Sequence, residues 1–372
     1  MSSRRHVLAA AAAMPALLTT GRAHSAMRAR VGLSLPLTGV QSAVATDLLT
    51  GYQLAFRAAK AQGIDIEAVV IDDHSQPAQT EAAVRQFAID RSIVAASGIV
   101  GTPHAKAAIP AARTGGLPIL GLRSGSSDLR DGGELVYHLR ASFEDELTRM
   151  VRMLDGTFSR IAIIASDDSF GVPAAEHARK EATARGMRVL TVARAERNGR
   201  DIQAVMRSIA KIDTPVQALL VLVISRPAIE ALRTARANSF GGPIFTMSFT
   251  AGSELLGAGP RVFAGLGMVL AFPVARTALD NTTLAFAQAA RQSGRPELVE
   301  SVTACEGYWY GAALAQAVRQ CDGVVNRERF VAALEGGRGL RLGTQRLSFG
   351  ERRVGRHELQ VVHVNREGLM QA

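Results

Sequence analysis

Residues Ser97–Ala108 read SGIVGTPHAKAA and follow directly on the apolar run Ser92–Ala96. A short apolar run, a glycine-spaced loop and then a helical pattern form the strand–turn–helix unit of an α/β sheet. Gly98 and Gly101 allow positive φ or a close approach of the backbone to another group. Thr102 before Pro103 reads as an N-cap with proline at the first helical position. The free N–H groups and positive dipole of such a helix end make an anion site. A loop of this kind can cradle a phosphate, hold a catalytic group, grip a small carboxylate or only turn the chain.

The same unit recurs on both sides of this loop. Apolar runs at Arg30–Leu35, Ile64–Ile71, Ser92–Ala96, Leu117–Leu122 and Leu135–Leu139 are predicted strands. Helical patterns at Thr46–Ala61, Gln79–Asp90 and Thr102–Thr114 separate them. Continuous apolar strands between helices predict a parallel sheet covered on both faces. The pattern then restarts, with strands at Arg160–Ala165, Met187–Val192, Val216–Ile224, Pro243–Met247 and Gly265–Phe272. Its helices fall at Val172–Arg185, Asp201–Lys211, Pro227–Asn238 and Ala251–Leu256. Two successive α/β sets of similar size predict two similar Rossmann-like lobes. Helices Asp280–Ser293 and Glu300–Gln320 have no strand between them and are expected to return to the first lobe, and Arg346–Val364 reads as a terminal hairpin-like segment.

Composition narrows the class. The 372 residues are 47% hydrophobic and 5% aromatic, so the cores are expected to be built of Ala, Val, Leu and Ile. Residues 1–26 read as a signal peptide: Arg4 and Arg5, an apolar stretch Val7–Leu18, then small residues at Ala23–Ala26. That stretch is shorter than the roughly 20 residues of a membrane span. SRRHVL resembles a twin-arginine signal, though Val7 stands where Phe is usual, so the Sec and twin-arginine routes both stay open. No cysteine precedes Cys305, which removes lipidation at the cleavage point, and a soluble exported protein is expected. Cys305 and Cys321 fall on one predicted helix, about 24 Å apart, too far for a disulfide. The formal charge of +10 is nearly all arginine, spread singly along helices with no dense basic run. It reads as a solvated face, and no nucleic-acid partner is expected.

Catalytic and cofactor motifs are missing from the sequence. It has no G-x-x-x-x-G-K-[ST] loop, no G-x-G-x-x-G after the first strand, no H-E-x-x-H and no G-x-S-x-G elbow. The eight histidines show no metal-ligand spacing, so neither metal nor cofactor is expected. Asp72-Asp73-His74 sits at a strand end before Pro77 and reads as a turn and cap. Asp167-Asp168 lies beyond a strand's carboxyl end, where ligands bind in open α/β sheets, and reads as a cap or a ligand contact. No base partner supports a catalytic His104, which is expected on the surface of its helix. A second strand end opens onto Arg123-Ser124-Gly125-Ser126-Ser127, again hydroxyls and glycine. Two neighbouring strand ends with hydroxyl and amide donors and no nucleophile–base pair suit a grip on a small anion. Two ordinary helix caps remain the other reading.

A set of landmarks runs the length of the mature chain: VGLSLPLTG, VVIDDHSQP, SGIVGTPHAKAAIPAA, LPILGLRSGSSDLR, IAIIASDDSFG, LLVLVISRPAIEALRTAR, CEGYWYGAALAQAV and LSFGERRVG. In this order and spacing the chain resembles the type I periplasmic binding proteins of the leucine/isoleucine/valine-binding family, the substrate-capturing components of ABC importers. The resemblance implies two α/β lobes with parallel central sheets, joined by three hinge crossings and closing over a ligand. It places residues 27–141 plus about 273–340 in the first lobe, and 142–272 plus about 341–372 in the second. It carries the carboxylate contacts onto Thr102 and onto Ser124, Gly125 and Ser126, the aromatic of the second lobe onto Phe170, and a further contact onto Ser248. Amino-acid-binding members hold the ligand ammonium with a carboxylate near that last position, and this sequence departs by having no obvious acid there. Arg123 meets an extra negative group on the ligand or is a surface charge. The implied protein is a periplasmic monomer that is not an enzyme and delivers a small carboxylate to an inner-membrane permease. A ligand-sensing adaptor of the same fold, or an exported enzyme using Asp167 or Asp168, are the alternatives.

Overall fold

The computed structural model describes residues 27–130, 135–250, 252–350, 353–367 and 369–371. The predicted signal peptide lies outside these residues. The first set of elements is β1 (Met27–Leu35), α1 (Ser42–Lys60), β2 (Ile64–Asp72), α2 (Pro77–Ile89), β3 (Ile93–Ser97), α3 (Thr102–Thr114), β4 (Ile119–Leu120) and β5 (Val136–Tyr137). Its strands form one sheet in the order β2-β1-β3-β4-β5, parallel throughout. The second set is α4 (Phe143–Leu154), β6 (Arg160–Ser166), α5 (Gly171–Ala184), β7 (Arg188–Ala195), α6 (Ile202–Ala210), β8 (Ala218–Leu222), α7 (Ser225–Ala237), β9 (Ile244–Met247), α8 (Ser253–Gly257), α9 (Pro260–Phe263) and β10 (Leu266–Leu270). The chain continues through α10 (Asn281–Gln292), α11 (Val302–Arg319), α12 (Arg327–Glu335), β11 (Leu340–Leu342), β12 (Gln345–Leu347), β13 (Gln360–Val364) and β14 (Met370–Gln371). The second sheet runs β14-β13-β10-β9-β8-β6-β7, with β13 antiparallel to β10.

The chain therefore passes between the two sheets three times: after β5, after β10 and before β13. These crossings are bound to one another. His138 in the first donates its N–H to Arg353 O of the third at 2.8 Å, and Gly355 N returns a bond to His138 O at 2.8 Å. Arg356 in the third is buried, bonds Ala271 O of the second, and lies 5.0 Å from the centroids of both Phe272 and Trp309.

Helices α10 and α11 pack against α1 of the first set, where their pattern placed them, and α12, not read from the sequence, packs against β3. Helix α11 is buried along almost its whole length and packs on α1 through a seam of glycines. A Cβ on Gly51 would lie 2.0 Å from Ala304 O, and one on Gly307 would lie 2.1 Å from Leu48 O. Only glycine allows the two backbones to approach this closely. Cys305 and Cys321 are buried free thiols.

The hairpin-like reading of Arg346–Val364 is corrected. Gln345–Leu347 pairs instead with Leu340–Leu342, and Gln360–Val364 extends the second sheet as an added strand. The segment holds two separate strands, and its apolar residues face two different cores. Among the described residues no helix is long and apolar enough to cross a membrane.

Candidate functional site

The opening loop is where the first sheet meets the space between the lobes. Gly98 and Gly101 both take positive φ, +78° and +99°, as their spacing predicts. Behind the loop, Tyr52 OH accepts Gly98 N–H at 3.1 Å and meets Ser97 Oγ at 2.5 Å. The neighbouring loop is tied on by a parallel bridge: Arg123 N donates to Ile99 O at 2.9 Å and Gly101 N to Arg123 O at 3.1 Å. This bridge brings together the two strand ends singled out in the sequence. Thr102 Oγ1 lies 2.9 Å from Ser124 Oγ, and both residues are buried.

Three details differ from expectation. Helix α3 starts at Thr102 with Gly101 as its N-cap and without a side-chain cap, so the Thr102 hydroxyl faces Ser124 instead of capping. His104 is buried, not on the surface: the face it shares with Ala105 and Ala108 turns inward. Neither ring nitrogen has a hydrogen-bond partner, and burial together with the charge of Arg197 lowers its pKa to about 4. Arg123 is not a surface charge. Its side chain is 2% exposed, and it donates to Glu306 at 3.0 Å and to Phe249 O and Thr303 Oγ1, each at 3.1 Å.

The cleft between the lobes is lined from the first lobe by Gln41, Val100, Gly101, Thr102 and Arg123. Phe143, Phe170, Arg197, Ile224 and Phe249 line the other side, around about 310 Å³ of free space that includes its mouth. Phe170, onto which the resemblance carried an aromatic, belongs to a cluster of three. Its ring centroid is 5.0 Å from that of Phe143 and 4.8 Å from that of Phe249, both edge to face. Edge-to-face packing is the preferred contact of such rings, so the three hold one another in place.

Arg197, which sequence reasoning missed, reaches across the cleft. It pairs with Asp168 in its own lobe and donates to Gln41 Oε1 of the first lobe at 3.2 Å. The other oxygen of Asp168 accepts Phe170 N and Gly171 N, each at 2.9 Å, so the acid caps α5 and anchors Arg197. Its neighbour Asp167 is held through its own N–H, which donates to Ala195 O at 2.8 Å. Asp73, buried in the acidic turn, accepts from Ser34, Thr80 and Ser75 N at 2.9 to 3.1 Å, as a turn-and-cap residue does. Among the described residues no group of three or more His, Cys, Asp and Glu is placed to hold a metal.

The remaining predicted contacts lie around the cleft rather than in its lining. Gly125 packs under Phe143, whose N–H donates to Gly125 O at 2.8 Å, and a Cβ on Gly125 would meet that ring at 2.7 Å. Ser126 Oγ donates to Asp128 at 2.5 Å. Ser248 Oγ donates to Glu146 at 2.8 Å and accepts from Arg140, within a buried network at the first crossing. There Arg140 donates to Glu306 and to Glu146, each at 3.1 Å, and Tyr310 OH donates to Glu306 at 2.5 Å. Burial disfavours the charge on Arg140, but Glu306 and Glu146 outweigh it and raise its pKa above the usual value. Two arginines and two glutamates thus balance inside the hinge. On the far side, Asp47 of α1 accepts Ser253 N at 2.7 Å and Ser301 Oγ at 2.8 Å, bracing the lobes a second time.

The architecture matches solved structures over more than nine-tenths of the chain. A substrate-binding periplasmic protein from Ralstonia solanacearum superposes with a TM-score of 0.85 at 25% identity, covering 92% of this chain and 99% of that one. The branched-chain amino acid transporter substrate-binding protein of Streptococcus pneumoniae, in complex with isoleucine, gives 0.81 at 16% identity, covering 93% and 98%. A solute-binding protein of an ABC transporter from R. palustris, in complex with 4-hydroxybenzoate, gives 0.79 at 16% identity, covering 93% and 95%. No curated protein matches the sequence closely enough to count as a relative. The sequence itself matches the periplasmic binding protein family over residues 28–368, and with two lobes, three crossings and a lined cleft between them, the chain belongs to that family.

Proposed function

We propose that this protein is a periplasmic solute-binding component of an ABC importer. It captures a small carboxylate, an amino acid or related organic acid, in the interlobe cleft and delivers it to the permease. The observation that supports this is the composition of the cleft. Thr102, with the Ser124 hydroxyl behind it, and the start of α3 lie on one wall, a phenyl cluster lies on the other, and arginines stand on both. Amides at a helix start and guanidinium groups favour an anion, while the phenyl wall takes an apolar body. Thr102 and Ser124 hold the carboxylate from the first lobe, assisted by the Gly125–Ser126 backbone, and Phe170 covers the ligand from the second. Ser248 acts from behind, through the Arg140 network.

A ligand that touches both walls does so only when the lobes are closed. It favours that state by its difference in affinity, and the closed form is what a permease recognises. The protein works as an exported monomer, with residues 27–141 plus about 273–340 as one lobe and the rest as the other, and without turnover of its ligand. Expressed with its leader and recovered from the periplasm, it is screened by thermal shift against amino acids, aromatic acids and dicarboxylates. A bound ligand at 100-fold its Kd adds about 2.7 kcal/mol of stability. Thr102→Ala and Ser124→Ala are expected to weaken binding by tenfold or more with the fold intact. Unchanged binding in both variants would show that the carboxylate sits elsewhere.

A further inference from the structure

Charges in the cleft are asymmetric. Both charged residues of its lining, Arg123 and Arg197, are cations, and among the described residues no acid lines it. The acids that pair with these two arginines have both carboxylate oxygens engaged. Asp168 gives one oxygen to Arg197 and the other to two backbone amides. Glu306 accepts Arg123 on one oxygen, and Arg140 and Tyr310 on the other. An ammonium group entering here faces two guanidinium groups and finds no carboxylate to neutralise it, which in a desolvated site is costly. A carboxylate meets no such repulsion, because the charged groups that line the cleft are guanidinium groups, each already paired with one acid.

The apolar side is equally particular. Aromatic residues make up 5% of the sequence, yet three of the ten lining residues are phenylalanines packed edge to face. Such a cluster presents ring edges and faces that a further flat ring extends in the same geometry.

We propose that the cleft selects an aromatic monocarboxylate that carries no ammonium group, with Phe143, Phe170 and Phe249 as its ring site and Arg197 as a specificity-determining cation. The inference rests on the solute-binding reading above and names its ligand class. Arg197 acts twice: it supplies positive charge, and it occupies the Asp168 carboxylate that would otherwise accept an ammonium.

Matched pairs test this directly. 3-Phenylpropanoate and phenylalanine differ only by the ammonium group, as do 4-methylpentanoate and leucine. Calorimetry on the full mature protein is expected to show 3-phenylpropanoate or benzoate binding at least tenfold tighter than phenylalanine, and tighter than 4-methylpentanoate. In Arg197→Gln the preference for 3-phenylpropanoate over phenylalanine is expected to shrink at least fivefold. In Phe170→Leu the aromatic acid is expected to lose more affinity than 4-methylpentanoate. Phenylalanine or leucine binding as tightly as its desamino partner overturns this inference and leaves the solute-binding reading standing. An aliphatic acid preferred to both aromatic acids removes the ring site. If no carboxylate of either kind binds, both readings fall together.

Discussion

Replacing Glu306 by glutamine removes one charge from the hinge and almost no volume. Its side chain is 2% exposed and carries three contacts: Arg123 Nε at 3.0 Å, Arg140 Nη1 at 3.1 Å and the Tyr310 hydroxyl at 2.5 Å. With Glu306 neutral, Arg140 keeps Glu146 and Arg123 is left without an acid partner. Each ion pair contributes about 4 kcal/mol at a charge separation of about 4 Å and an effective dielectric constant of 20. Against the two lost attractions stands the relieved cost of burying the glutamate, several kcal/mol. The difference matches the 3–5 kcal/mol typical of breaking a buried pair on one side, so Glu306→Gln is expected to lose about that much stability.

Urea unfolding followed by circular dichroism measures the loss. Glu67→Gln is the control, because Glu67 pairs with Arg30 at the surface with its side chain 64% exposed, and its midpoint should not move. A second readout separates charge from packing. In the variant, Arg123 keeps its place at the cleft but loses its partner, so a bound carboxylate replaces the missing negative charge. The melting temperature of Glu306→Gln is therefore expected to rise more on adding ligand than that of the natural protein. A stability loss below about 1 kcal/mol would refute the reasoning, since the quartet would then not depend on balanced charge.

Two further perturbations test other parts of the structure. His104 and His138 are buried with pKa values lowered to about 4 and about 3, by burial first and then by Arg197 and Arg130 respectively. An unfolded histidine titrates near 6.5, so below that pH the unfolded chain binds protons that the native state refuses. The stability they contribute is complete above about pH 6.5 and is lost as pH falls toward 4, about 2 kcal/mol for each histidine by pH 5. Urea midpoints at pH 7.5 and 5 should therefore differ, and His104→Gln should remove roughly half of the histidine-linked part; an unchanged pH slope counts against this assignment. Gly51→Val drives a side chain into the α11 backbone and is expected to cost at least about 2 kcal/mol, whereas Gly257→Ala, with open space around it, should be silent in the same denaturation series.

The two-lobe plan was legible because it rests on local signals. Each predicted strand is a continuous apolar run and each helix an amphipathic stretch, and nearly all of them appear within a few residues of their expected bounds. The shortest were overestimated: Leu117–Leu122 pairs only at Ile119–Leu120, because the chain leaves the sheet at Gly121. The Arg346–Val364 segment failed for a different reason. Two strands separated by a crossing look, in one dimension, like two strands joined by a turn.

The site divides along the same line. Thr102 and Ser124 could be paired from sequence because each follows a strand end, and neighbouring strands of a parallel sheet bring such ends together. Arg197 carries no such signal. It follows β7, an edge strand, and only the approach of the second lobe to Gln41 gives its charge a role in the cleft. Arg123 could be located but not interpreted, since its partners Glu306 and Thr303 lie about 180 residues away on α11. What local reading misses here is the pairing of each charge. That pairing is what separates an acid available to an ammonium from one already engaged, so the same sequence that marks the loops of the cleft leaves the charge of the cleft to be read from the folded chain.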